Sequence, residues 1–418
     1  MASHPISRRS FCALSAGAVL SSCELLRATA QPVTQAGGTA TRPDVAAIDH
    51  DRILAAAQRY LALAPSPITS MLCPRSPAAA AYYSEPEPAA DANPGSLAPF
   101  LAHRDALFAL GMAVPALASA FSLTGEARYS DAAATHLRAW FIDPATRMIP
   151  AMDFAQTTRA TRSSARDSSS APLGGRYQGI LEALPLVEIA VAIPFLTTLS
   201  EAERAAIRTW FTAYYHWLTD PRDSGPRLAA LARDSKDHHG ASWMLQAAAC
   251  AWLGAPTGDT GRAEDTALAA LRHRFKSATL RALISREGTF PRELVSQTPY
   301  RDSLFTLDLL AGVCQLLSTR FESVWDYELE DGPGMRAAVA WHFPYMADRA
   351  MWPYRADTSH FEELPSRRAN LLFSARAYQR PEYAALWKTL KPDPPTPAVI
   401  RTIPVHQPLL WVRQPPVA

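Results

Sequence analysis

Two adjacent histidines stand where a charged segment gives way to an apolar one, in the sequence KDHHG at residues 236–240. The apolar periodicity from Gly240 to Leu253 predicts a helix, so His238 and His239 fall in its N-cap region. The positive end of a helix dipole disfavours protonation, and an imidazole there is expected to be neutral at pH 7. A neutral imidazole can accept a proton, which is the task of a general base.

Three functions are open to this pair on its residues alone. The histidines could cap the helix, with one ring exposed and the other packed, and take part in no chemistry. They could bind a metal ion, which would need further ligands, since the sequence has neither an HExxH motif nor a spaced set of Cys and His residues. They could also supply the base of an enzyme.

Other segments of the chain match a known pattern. They are DPATRM at 143–148 with FAQ at 154–156, GRYQGIL at 175–181, DHHG at 237–240 followed by Trp243, and PY at 299–300 with SLF at 303–305 and LD at 307–308. In kind and order these segments resemble the alginate lyase family, and the resemblance covers about residues 95–390. It implies an (α/α) toroid fold and cleavage of poly-mannuronate chains by β-elimination.

The steps of the implied reaction determine which kinds of residue the site needs. β-Elimination removes the proton on C5 of a uronate, α to a carboxylate, and expels the O4 glycosidic oxygen. Donors or cations must neutralise the carboxylate, a base must reach C5, and an acid must protonate O4. In the family an Asn and an Arg hold the carboxylate while His and Tyr transfer protons. The resemblance therefore implies no metal and no cofactor.

The histidine pair takes its expected roles from this resemblance. His239 matches the family histidine and is the expected base, or a group that neutralises the carboxylate. His238 stands where the family has Asn, and a neutral imidazole can still donate one hydrogen bond through its N–H. Both are expected catalytic residues.

The later segment departs from the family pattern. Ser296 occupies the arginine position and Asp302 the tyrosine position, and neither can do the family's work directly. Arg292 or Arg301 could supply the cation instead, and Tyr300 the phenol. Tyr300 lies two residues from position 302, so on a helix the two side chains point about 200° apart. A simple replacement would need a change in the local backbone.

Four more residues are expected to bind substrate. Tyr177 and Trp243 are aromatic residues beside the matching segments, where they could stack on sugar faces. Gln156 belongs to one of those segments. Arg176 lies near the end of a long polar connection, residues 156–178, which is either a solvated insertion or a basic lid over an anionic substrate.

Nearly all of the chain has helical periodicity. Apolar residues recur at three and four positions in 51–64, 99–122, 128–141, 179–198, 202–218, 240–253, 264–285, 303–318 and 335–345. Many helices with short links predict an all-α protein of antiparallel helical hairpins in a ring or solenoid. The resemblance narrows this to an (α/α) toroid, with one domain over residues 45–418.

The first thirty residues have the features of a twin-arginine export signal. Arg8 and Arg9 precede a short apolar run and small residues up to Ala30, and a linker follows over residues 31–44. The run is shorter than the ~20 residues that span a bilayer, so no membrane span is expected. Cleavage near Ala30 and lipidation of Cys23 are alternatives. Both predict export across a bacterial inner membrane to the periplasm, as a lipoprotein or a soluble or secreted protein.

Charge and cysteine content exclude some classes of protein. Removing residues 1–30 takes three arginines and one glutamate from the 41 basic and 39 acidic residues, which leaves 38 of each. The chain is therefore no basic nucleic-acid binder, and an anionic polysaccharide would need a local basic groove. Cys73, Cys250 and Cys314 are expected to be buried thiols. We expect a monomer.

Two rival functions remain. A glycoside hydrolase on a similar toroid would need two carboxylates facing the bond. Candidates without a distinctive spacing are Glu182, Glu287, Glu293 and Asp302. The other rival is a degenerate lyase that binds uronide polymers.

The segment 292–305 distinguishes the enzyme from the binding protein. Arg292 and Tyr300 in the same cleft as His239 would favour an enzyme. Side chains that point away from it would favour a degenerate binding protein.

Overall fold

A computed structural model describes residues 40–87, 98–158, 174–220 and 228–415. Within these ranges extended residues pair only in two isolated bridges, Tyr83 with Phe154 and Glu328 with Gly334. The α-helices are α1 (Val45–Ile48), α2 (His50–Tyr60), α3 (Ala102–Thr124), α4 (Ala127–Leu137), α5 (Pro185–Ala192), α6 (Glu201–Thr219), α7 (Leu228–Asp234), α8 (His238–Gly254), α9 (Gly258–Glu264), α10 (Thr266–Arg274), α11 (Leu280–Leu283), α12 (Pro299–Leu317), α13 (Met335–Ala347), α14 (Ala369–Tyr378), α15 (Pro381–Thr389), α16 (Pro397–Ile400) and α17 (Pro408–Val412).

Tighter and wider turns extend or link these helices. The 3₁₀ turns are Ile68–Ser70, Tyr177–Ala183, Ile193–Phe195, Glu293–Val295, Val324–Asp326, Arg349–Met351 and Phe361–Glu363, and the π-helical segments are Arg138–Ile142 and Phe275–Thr279.

The helices form two layers. An inner series packs in the order α3, α5, α8, α12 and α14, and each helix contacts the next. Nearly every residue of α5, α8 and α12 is buried, because their sequences are apolar on all sides. On the outside, α4 packs on α3, α6 on α8 and α15 on α14. The predicted all-α fold, an (α/α) toroid, is confirmed.

Contacts between distant parts of the chain join its N-terminal and C-terminal helices. Arg367, just before α14, forms an ion pair with the buried Asp49 at 2.7 Å. Arg52 on α2 donates to the backbone carbonyl of His406 at 2.6 Å. The first helices are thereby fixed against the last ones.

Helix α8 carries the histidine pair, and its bounds include the predicted residues 240–253. Asp237 caps it by accepting a hydrogen bond from the backbone N–H of His239. A Cβ at Gly240 would collide with the backbone carbonyl of Ser235. Glycine is therefore required where the preceding loop turns closely into the helix.

Most predicted helical segments are confirmed, with shifted ends. The segment 179–198 is divided into Tyr177–Ala183, α5 and Ile193–Phe195, because Pro185 and Pro194 interrupt the backbone hydrogen bonds. The three cysteines outside the signal are buried and free, as expected. The signal over residues 1–30, Cys23, most of the linker and residues 159–173 of the polar connection lie outside the described residues.

Two described segments are long and apolar enough to cross a bilayer. They are Ala102–Thr124 and Tyr177–Phe195, and 61% and 78% of their most apolar windows are buried inside the protein. Their apolar surface packs against other helices, as in core helices of a folded domain.

A charged cluster lies between α12 and α14, with no exposure to solvent. Asp308 accepts hydrogen bonds from the side chain and backbone N–H of Asn370, at 2.7 and 3.0 Å. Arg368 approaches the same carboxylate at 3.2 Å, and both ions are 0% exposed. Removal of one ion would leave the other buried without a counter-charge.

We expect Asp308→Ala to lower the free energy of unfolding by about 3–5 kcal/mol, because Arg368 would stay charged in the core. Urea denaturation followed by circular dichroism measures the change. Asp331→Ala is the control, since it breaks an ion pair with Arg281 in which both side chains are more than half exposed; that pair is worth about 0–1 kcal/mol. Equal effects of the two variants would contradict a structural role for the buried pair.

Candidate active site

His239 is oriented by the residue that caps its helix. Oδ1 of Asp237 accepts hydrogen bonds from both the backbone N–H and Nδ1 of His239, each at 3.0 Å. A carboxylate only accepts, so Nδ1 carries the proton and Nε2 keeps a free lone pair. No described residue hydrogen-bonds to that Nε2. The tautomer is the one that a base needs.

Burial and charge set the protonation of this group. Burial lowers the pKa of His239, and the charge of His238 lowers it further, against the opposing effect of Asp237. Burial alone would raise the pKa of Asp237, but hydrogen bonds from His239 and Ser235 hold it well below its usual range. His239 is therefore neutral, beside an ionised carboxylate.

His238 is held by a different carboxylate. Glu293 accepts hydrogen bonds from the backbone N–H of His238 at 2.6 Å and from its Nδ1 at 3.0 Å. The hydroxyl of Thr306 on α12 donates to the same carboxylate at 2.6 Å. Phe305 packs beside the ring, with ring centroids 5.6 Å apart. The two histidine rings lie 4.3 Å apart.

The surroundings of His238 act against the expectation that both rings are neutral. Burial opposes the charged form, but the hydrogen bond and negative charge of Glu293 outweigh it and raise the pKa of His238 above its usual value. The helix dipole acts on both rings alike, whereas the buried carboxylate contacts only one. The pair thus combines a neutral imidazole with one that favours the charged form.

Asp302 lies beside this pair, in a network of short polar side chains. Its Oδ2 accepts hydrogen bonds from Ser296 at 2.7 Å and Thr298 at 2.9 Å. Arg301 donates to Thr298 at 2.8 Å and approaches Oδ1 of Asp302 at 3.4 Å. Arg301 therefore balances the charge of Asp302. Ser296 serves as a hydrogen-bond donor to Asp302.

His238, Glu293 and Asp302 place three potential metal ligand atoms within 4.8 Å of one another. These groups already have protein partners. Glu293 accepts through both oxygens, His238 uses Nδ1, and Asp302 accepts from two hydroxyls. Within the cluster, Glu293 orients His238 through two of these hydrogen bonds.

Tyr177 packs against the ring of His239. The two ring centroids are 5.1 Å apart in an edge-on arrangement, and Tyr177 is partly exposed at the start of the 3₁₀ turn Tyr177–Ala183. Arg176, also half-buried, directly precedes that turn. A Cβ at Gly175 or Gly179 would collide with Ala155. Two of the matching sequence segments are thus in direct contact beside the histidines.

Gln156 lines a cavity of about 210 Å³ that Phe305 borders on another side. The backbone N–H of Gln156 donates to Ser84, whose hydroxyl donates to Glu182. Burial raises the pKa of Glu182, against hydrogen bonds from Ser84, Tyr82 and Gln156 that lower it. Because Phe305 contacts His238, the cavity lies next to the histidine pair.

Three expected site residues make no described contact with the histidine pair. Tyr300 is 0% exposed, and its hydroxyl donates to the backbone carbonyl of Tyr345 at 2.7 Å; its ring packs on Trp352. Trp243 is 3% exposed and donates to the carbonyl of Leu218. Arg292 is exposed, and no described residue binds its side chain. The structure places the first two in the core, so their predicted roles are corrected.

Sequence reasoning missed the groups that support the histidines. Glu293 appeared only as one of several carboxylates, and Thr306 did not appear at all. The contact between His238 and Glu293 spans 55 residues of chain. A local signal existed only for Asp237, since an aspartate before a helix is a common N-cap.

Solved structures of other proteins are similar to this chain. An alginate lyase from Bacteroides ovatus has a similar structure, with a TM-score of 0.68, 22% sequence identity and coverage of 86% of this chain and 93% of that one. Alginate lyase A1-III from Sphingomonas species A1 gives a TM-score of 0.49 and 14% identity, and covers 90% of this chain and 98% of that one. No curated protein sequence matches.

A family model gives the firmer result. The model described as alginate lyase matches residues 55–352, which is more than half of the chain and includes the histidine pair and every other expected site residue. The chain therefore belongs to the alginate lyase family.

Proposed function

We propose that this protein cleaves a uronic-acid polymer, alginate or a similar poly-mannuronate, by metal-independent β-elimination centred on the histidine pair. The observation that carries the proposal is the pairing of His238 and His239. Their rings are 4.3 Å apart, and each Nδ1 is bound by its own carboxylate. Both Nε2 atoms lack a partner among the described residues, and so are free to act on a substrate.

The two histidines divide the work according to their charge. His239, neutral and with a free lone pair at Nε2, removes the proton from C5. His238 donates from Nε2 to the uronate carboxylate and stabilises the charge that develops there. Pairs of titratable groups whose pKa values are pushed apart by their surroundings are typical of acid–base sites.

Tyr177 is the phenol that the structure offers for the leaving group, in place of Tyr300. Electrons from the broken C5–H bond form the C4=C5 double bond, and the C4–O4 bond breaks. O4 takes a proton from the hydroxyl of Tyr177. His239, which has gained the C5 proton, returns one to the phenolate. Arg176, which directly precedes Tyr177, adds positive charge near an anionic chain.

The glycoside hydrolase alternative is less compatible with the same geometry. Glu293 and Asp302 approach each other closely enough for a catalytic pair, but both are turned towards protein donors. Glu293 binds His238 and Thr306 through its two oxygens. A hydrolase needs one carboxylic acid and one carboxylate that face the glycosidic bond.

We further propose that the protein acts after export. The twin-arginine pattern at Arg8 and Arg9 supports passage to the periplasm, with cleavage near Ala30 or lipidation at Cys23 as the alternatives. A monomeric enzyme is part of the same proposal, with Ala102–Thr124 and Tyr177–Phe195 as buried core segments.

His239→Ala is expected to lower kcat by roughly 10²–10⁴-fold, because the C5 proton loses its acceptor. The measurement is the rise in ultraviolet absorbance from the unsaturated product, with poly-mannuronate, poly-guluronate, polyglucuronate and pectate tested separately. His273→Ala, which removes an exposed histidine on α10, is the matched control and should retain full activity.

Two outcomes would contradict the proposal. Retained activity of His239→Ala with an unchanged circular dichroism spectrum would refute the assignment of the base. A flat trace of the wild-type protein on all four polymers, with binding still detectable, would favour a degenerate uronide-binding protein. The burial of Tyr300 in an aromatic core, and the lack of a described contact between Arg292 and His239, make this second test necessary.

Metal independence is tested by chelation. Dialysis against EDTA should leave kcat and KM unchanged, because side chains supply the charge that stabilises the uronate once its C5 proton is removed. Loss of activity that returns on adding one divalent cation would contradict this, and His238, Glu293 and Asp302 would then be the ligands to test by mutation.

A further inference from the structure

We infer that Glu293 is a positioning residue that keeps His238 as a substrate-facing imidazolium, and that this cation replaces the arginine that the family pattern has at position 296. The inference rests on the proposed function. It assigns a specific partner to the substrate carboxylate and explains how the site tolerates Ser296.

A cation is needed at this point of the site because Ser296 supplies none. Its hydroxyl donates to Asp302. Arg292 is exposed and Arg301 is engaged with Asp302 and Thr298. Arg176 directly precedes Tyr177 and has no described contact with His238. Next to the base, His238 is the basic group whose outer nitrogen has no partner among the described residues.

Glu293 holds His238 from two directions. One oxygen accepts the backbone N–H of His238 and the hydroxyl of Thr306, while the other accepts Nδ1. Glu293 is 1% exposed, and a buried carboxylate is costly without a charged or hydrogen-bonding partner. The imidazolium supplies that partner. Its second N–H, at Nε2, is then free to donate to a uronate.

Charged groups on several neighbouring segments affect the pKa of His238. Asp237 and His239 face it from its own chain segment, Glu293 from the 3₁₀ turn, and Asp302 with Arg301 from α12. Three carboxylates therefore face one arginine and a neutral imidazole. This excess of negative charge agrees with the raised pKa of His238.

Exposure explains why two similar carboxylates give two different histidines. The side chain of Glu293 is 2% exposed, whereas that of Asp237 is 27% exposed. Water screens the second pair more than the first. His238, once charged, also disfavours a second charge on His239 at a ring distance of 4.3 Å. Charging one ring keeps the other neutral.

The opposite pKa shifts of the two histidines predict a range of pH in which the site is active. His239 is a neutral base at any pH above its own lowered pKa. His238 is a cation at any pH below its own raised pKa. The active form exists between the two, so kcat/KM should rise through the first and fall through the second. Both limits belong to the histidine pair.

The decisive variant is Glu293→Gln, which keeps the shape and removes the charge. The pH titrations of His238 and His239 are followed by NMR of the full-length protein labelled at histidine, with signals assigned through His238→Gln and His239→Gln. We expect the midpoint of His238 to fall by on the order of one pH unit or more. In the pH profile of kcat/KM, the alkaline limb should move to lower pH by the same amount. The acidic limb should not move to lower pH.

Glu363→Gln is the matched control. Glu363 also accepts a hydrogen bond from a histidine, His360 at 2.8 Å, but no described contact joins that pair to the site. Neither titration nor either limb should change in this variant. A purely structural role for Glu293 would lower activity at every pH without moving the alkaline limb.

The inference is overturned if the His238 midpoint stays at its wild-type value in Glu293→Gln, or if the alkaline limb does not move. The NMR titration needs no turnover, so it decides the role of Glu293 even if that variant is inactive. If the wild-type protein proves inactive on all four polymers, the proposed function fails, while the effect of Glu293 on His238 is still measured.

Discussion

The N-terminus of α8 is held by two carboxylates, and the candidate site depends on that attachment. Asp237 and Glu293 each accept one backbone N–H of the helix and one imidazole N–H. Helix geometry, side-chain orientation and protonation are therefore set by the same four hydrogen bonds. Because the first two backbone donors of a helix need partners in any case, orientation of the histidines uses groups that the fold already requires.

The carboxylates come from different levels of structure, and this gives the pair its asymmetry. Asp237 is local and partly exposed, whereas Glu293 is brought in by the packing of α12 against α8 and is buried. The closely packed inner layer of helices fixes the position of Glu293 relative to His238. The surrounding polar network of Asp302 and Arg301 adds charge without occupying the outer nitrogens of the rings.

Local patterns predicted the helices, the position of the histidine pair and the fold class, because periodicity and capping are written in neighbouring residues. They also predicted that Tyr300 and residue 302 diverge on a helix: α12 turns Tyr300 into an aromatic core and Asp302 towards His238. Proximity in sequence wrongly suggested Trp243 as a ligand platform. Glu293 could not be found this way, since its contact with His238 depends on how α12 packs against α8.

Close packing of Ala155 against Gly175 and Gly179 has a consequence for divergence among relatives. Ala155 occupies the space into which a side chain at either glycine would extend. An added methyl group at Gly175 or Gly179 therefore requires a shift of the segment at 155. Such a shift would carry Tyr177 away from His239 and displace Gln156 from its cavity. The two segments should therefore change together or remain as they are, as a single inherited unit.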